Sequence, residues 1–114
     1  MVHSPPLWQL EFNRELEAGY AARASGFEGK ARVCARRVLG IVIEEYFRRC
    51  DLPTPGTSIQ ERIAALIDLD VLTYQTREVI DHFLVKVDKD YHLPIDSDLL
   101  AESAWLADQL LMKE

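Results

Sequence analysis

Two cysteines in 114 residues, Cys34 and Cys50, are too few for a disulfide framework. Three histidines, His3, His82 and His92, include no pair at zinc-ligand spacing. Glu78 precedes His82 by four residues, not the three of a di-iron helix motif, and no second copy exists. No metal or other cofactor is therefore expected. No apolar run approaches the ~20 residues of a membrane span, and the longest is broken by Gly40. The opening Met1-Val2-His3-Ser4-Pro5-Pro6 lacks the basic start and apolar middle of a signal peptide. Gly26-Phe27-Glu28-Gly29-Lys30 has neither the preceding strand nor the spacing of a phosphate-binding loop, and reads as a helix–helix turn. No nucleophile elbow occurs. These absences predict a protein of a reducing compartment, the cytoplasm, with no membrane association.

The apolar share, 48%, is enough to build a core and excludes a disordered tail. The length is that of one domain, taken as residues 1–114. The net charge of −6 is unevenly spread. Residues 23–49 hold seven basic and three acidic side chains, whereas residues 50–114 hold five and thirteen. Such a block either packs beside acidic helices of the same chain or forms a phosphate-binding stripe. A pI near 5.0 favours the first.

Helical periodicity runs through the chain. Pro5-Pro6 opens a first helix whose stripe is Trp8, Phe12, Leu16 and Tyr20, and Ser25-Gly26 closes it. A second helix spans 27–49, apolar over a wide arc and therefore central. The prolines and glycine of 51–57 form a turn. Ser58 and Glu61 form a capping box for a short third helix, 59–68. Thr73 caps a fourth, 74–91, with a stripe of Ile80, Phe83, Leu84, Val87 and Tyr91. Asp96 or Ser97 caps a fifth that carries Leu99 to Leu111 toward the C-terminus. The predicted fold is all-α: an antiparallel bundle of four long helices and one short helix. Val79, Phe83 and Trp105 fall at the edges of their stripes, which predicts an uncovered apolar patch and a homodimer.

One motif carries chemistry. Arg77-Glu78-Val79-Ile80-Asp81-His82 has an arginine and a histidine at Arg-x4-His spacing. Histidine can serve as general acid or base and a guanidinium can stabilise phosphorane charge, so the pair suits metal-independent RNA cleavage. Five residues turn a helix by about 140°, so Arg77 and His82 do not share a face. His82 lies opposite the buried stripe and is expected to point away from the chain's own core.

From Leu7 to Leu111 the chain resembles the HEPN superfamily of small helical bundles. The resemblance rests on the helix order and on Gly29-Lys30-Ala31-Arg32-Val33-Cys34-Ala35-Arg36-Arg37 opening the long second helix. It rests further on Arg77 to Phe83 in the fourth helix, and on the final helix after Leu93-Pro94. It implies a dimer, RNA as substrate, and a nucleotidyltransferase as partner in a toxin–antitoxin pair. It also implies Arg77 and His82 as the catalytic pair. Two positions depart from the active pattern. Glu78 stands where Asn, Asp or His is usual and sets negative charge beside a phosphate site, and Leu84 stands where a tyrosine is frequent. The reading drawn is therefore a HEPN-like module for dimerisation or partner binding, without catalysis. The alternatives are a metal-independent endoribonuclease acting across a homodimer, and an unrelated helical bundle of structural role.

Overall fold

The computed structural model describes residues 4–87, 89 and 92–112. Every regular element among them is helical: α1 Leu7–Ala24, α2 Glu28–Arg49, α3 Ile59–Asp68, α4 Tyr74–His82 and α5 Leu99–Ala107. A π-helical turn, Asp108–Met112, continues α5. No helix is long and apolar enough to cross a membrane.

Pro6 supplies the carbonyl for the first turn of α1, accepting from the Gln9 and Leu10 amides at 3.0 and 3.3 Å. The helix ends as Ser25-Gly26 predicts. Gly26 takes φ +83°, the Phe27 amide donates to the Ala22 carbonyl at 2.8 Å, and the Gly26 amide donates to that of Arg23. The turn folds α1 back along α2, placing Glu15 beside Arg37 and Trp8 beneath Arg49. Gly19 permits a close approach, since a Cβ there would run into Leu100 Cδ2 and stand 3.1 Å from Cys34 Cβ.

α2 is the central element. Ala31, Cys34, Ala35, Val38, Leu39, Val42 and Ile43 are all buried, while Lys30, Arg37, Glu44 and Arg48 face solvent. Cys50, just beyond it, is exposed, and both cysteines are free thiols. α3 has the predicted bounds, and both halves of the Ser58–Glu61 capping box are made. The core is one large cluster drawn from all five helices and a smaller one of Val38, Val42, Ala107 and Leu111 beneath Trp8 and Phe12.

Three expectations need correction. α4 is capped by Thr73 but stops at His82, nine residues long rather than extending to Tyr91, itself outside the described residues. Leu84 and Val87, placed on its buried stripe by spacing, are exposed, so their burial does not sustain the helix beyond His82. α5 is capped by Asp98, whose carboxylate accepts from the Ala101 amide, rather than by Asp96 or Ser97. Phe83 is buried in the chain's own core, and Val79 and Trp105 pack partly buried against it, so these residues make no uncovered patch. Burying a side chain of the size of Phe83 is worth ~1.5–3 kcal/mol, so this residue anchors the end of α4 in the core.

Candidate functional site

The capping of α4 by Thr73 sets Arg77 in its second turn and His82 at its last residue. Arg77 is half exposed, and its Nε donates to Asp81 one turn on at 3.3 Å. This is a surface i,i+4 pair, of small worth to stability, which engages the guanidinium within its own helix.

His82 is not turned away from the chain as its helical phase predicts. Because α4 ends there, the half-buried ring lies against the start of α5. Its Nδ1 is 3.0 Å from both Glu102 carboxylate oxygens and 3.3 Å from Ser97 Oγ. Asp98 sets this geometry by capping α5, which places Ser97 just before the helix and Glu102 in its first turn. Asp98 is anchored in turn by Arg23 at 3.0 Å, and Arg23 also grips Glu28 at 2.8 Å. The Arg23 hydrogen bond holds the Asp98 and Glu28 carboxyls below the usual carboxylate range.

A carboxylate accepting from Nδ1–H fixes the imidazole's tautomer and orientation, and leaves Nε2 as the nitrogen that can exchange a proton with a ligand. Ser97 shares Nδ1 with Glu102, so the three do not form a nucleophilic triad, which needs the serine at Nε2. The described contacts thus give Arg77 and His82 separate acidic partners, Asp81 and Glu102. The sequence carries no sign of the Glu102 and Ser97 contacts, since these residues stand 20 and 15 positions from His82.

Most of the basic block resolves inside the chain. Arg23 pairs with Glu28 and Asp98, Arg37 with Glu15, and Arg48 and Arg49 with Glu45. Among the described residues no group of three or more His, Cys, Asp or Glu is placed to hold a metal ion. Comparison with known protein families, curated proteins and solved structures finds no match.

Proposed function

We propose that this chain is a HEPN-like antiparallel helical bundle that works by binding a protein partner rather than by cleaving RNA. A second copy of itself is the first such partner, and a nucleotidyltransferase is the second. The observation that carries the reading is the separate engagement of the two motif residues: Arg77 with Asp81, and His82 with Glu102. Glu78, exposed beside Arg77, adds negative charge where a phosphate would have to sit. Surface for a partner is available where α4 begins: Tyr74 is 87% exposed and Val71 51%. The test has two arms. RNA incubated with the wild type, with and without chelator, is expected to stay intact, and sedimentation equilibrium is expected to report self-association that Tyr74→Ser weakens. Cleavage that His82→Ala abolishes overturns the reading, as does a monomer at high concentration that also fails to bind a nucleotidyltransferase.

One observation favours the endoribonuclease instead. Glu102 on Nδ1 is the arrangement that makes Nε2 an acid–base catalyst. In that reading, a dimer brings one subunit's Arg77 to the other's His82. Arg77→Ala and His82→Ala then each abolish cleavage, and chelators have no effect.

A further inference from the structure

Between α1 and α3 the outer surface of α2 forms a cleft of about 440 Å³. Gly40, Ile41 and Ile59 give it apolar walls, and Arg36, Arg37 and Arg62 line it together with one carboxylate, Glu15. Three guanidinium groups set against Glu15 in the lining and Glu44, which pairs with Arg62 at 3.3 Å, leave the site with an excess of positive charge.

The three arginines are unevenly satisfied. Arg62 donates from Nη1 to the Gly40 carbonyl at 2.9 Å and to Glu44 at 3.3 Å, while its Nε is buried with no partner among the described residues. Arg37 reaches Glu15 only at 3.9 Å and is 64% exposed, a loose pair that a better acceptor can replace. Arg36 is half-buried and makes no ion pair among the described residues; its Nη2 lies 3.4 Å from the Val85 carbonyl. Burial, and then the neighbouring Arg32, hold the Arg36 pKa below the usual guanidinium value. Arg36 is thus a charge taken partly out of water beside another of its own sign, which an anion would compensate.

Guanidinium forks match tetrahedral oxyanions by paired hydrogen bonds. The three terminal oxygens of a phosphate monoester can engage three guanidinium groups at once, which the two oxygens of a carboxylate or the two free oxygens of a phosphodiester cannot. The volume falls in the ~300–1,000 Å³ range of small-molecule sites. We infer that this cleft binds a small phosphate monoester, its phosphoryl group among Arg36, Arg37 and Arg62 and its organic body against Ile41 and Ile59. The site does not depend on the roles of Arg77 and His82.

The test is a ¹⁵N-NMR titration of the full chain with phenyl phosphate, inorganic phosphate and phenylacetate. Saturable shifts are expected at the Gly40, Ile41 and Ile59 amides. Phenyl phosphate should bind several-fold more tightly than inorganic phosphate, and about tenfold more tightly than phenylacetate, the equivalent of ~1.4 kcal/mol. Arg36→Gln should weaken phenyl phosphate about tenfold or more by removing a charge-assisted contact, and Glu15→Gln should tighten it by removing the competing carboxylate. If Arg36→Gln fails to fold, exposed Arg37→Gln serves in its place. Shifts that do not saturate, unchanged affinity in the arginine variant, or phenylacetate binding as tightly each overturn the inference. Equal affinity for inorganic phosphate overturns the organic half of the site.

Discussion

The His82 ring and the Glu102 carboxylate meet at 3.0 Å across the junction of α4 and α5. The contact links the last residue of one nine-residue helix to the first turn of another. Helices of this length do not stand alone in water, so such cross-links decide whether they form. A net contribution of ~0.5–1.5 kcal/mol is expected for a hydrogen bond of this kind. His82→Ala should therefore cost about 1–2 kcal/mol, more than the near-neutral effect of a fully exposed side chain. A double-mutant cycle with Glu102→Gln, read from urea midpoints, should return a positive coupling energy. Strict additivity would mean that the two side chains do not interact in solution.

Arg23 ties the end of α1 to the starts of α2 and α5 through Glu28 and Asp98. Both carboxyls have folded-state pKa values depressed by that arginine, so they bind protons more weakly folded than unfolded. Their stabilisation is complete above the unfolded carboxylate values near ~4 and is lost as pH falls through the lower, folded ones. All three side chains are about a third to a half exposed, so the effect is screened by solvent and modest. Arg23→Gln should lower the urea midpoint at pH 7, and the gap to wild type should close as the pH is taken below about 4. A gap that stays constant down to strong acid would remove the ion pairs as its cause.

The parts of the fold legible in the sequence are those set by local chemistry. Gly26 after Ser25, the Ser58–Glu61 box and the Thr73 cap each determine a helix end through neighbours one turn away, and the structure makes all three. The end of α4 was not legible. Leu84 and Val87 continue the spacing of Ile80 and Phe83, but periodicity does not reveal how far packing covers them, and both are exposed. The candidate site divides the same way. Arg77 and His82 stand out by type and spacing, whereas Glu102 reaches His82 only because α4 stops early and Asp98 starts α5. Glu45 was hidden for a related reason, because its burial depends on the partners that surround it.

Asp51 closes α2 with φ +56°, the position that Gly26 holds after α1, with the same pair of bonds: Leu52 to the Phe47 carbonyl and Asp51 to that of Arg48. A residue with a Cβ is strained there and glycine is not. Asp51→Gly should raise stability by ~0.5–1 kcal/mol, visible as a higher thermal midpoint. A lower midpoint would show that the Asp51 carboxylate contributes more than the strain costs.

Cys34 is 2% exposed against Gly19 of α1, whereas Cys50 lies beyond the end of α2 in solvent. A thiol reagent applied to native protein should modify Cys50 at once and Cys34 only through opening of the α1–α2 contact. Denaturant below the unfolding midpoint should accelerate the second reaction and leave the first unchanged. Prompt labelling of Cys34 would place it on the outer face of α2.

Glu45 is 3% exposed, and its carboxylate accepts from Arg48 at 2.7 Å and from Arg49 at 2.8 Å. The Arg48 hydrogen bond, followed by that of Arg49, holds its carboxyl below the usual range. Arg49 does more than balance this charge. Its Nη1 donates to the Leu111 carbonyl at 2.7 Å, and its guanidinium lies over the Trp8 ring at 5.5 Å. One side chain therefore joins the end of α2, the start of α1 and the π-helical turn that follows α5. Removing Glu45 alone leaves Arg49 held by the carbonyl and the ring, so Glu45→Gln should cost ~1–2 kcal/mol. Removing Arg49 leaves a buried carboxylate with only solvent-facing Arg48, which frays two helix ends at once, so Arg49→Ala should cost ~3 kcal/mol or more. The double variant should lose less than the sum, because without its carboxylate the site holds no unpaired charge. Hydrogen exchange of the last-turn amides should rise in Arg49→Ala and stay near wild type in Glu45→Gln. Equal exchange in the two variants would show that the C-terminal turn is held by Leu111 packing and not by the arginine.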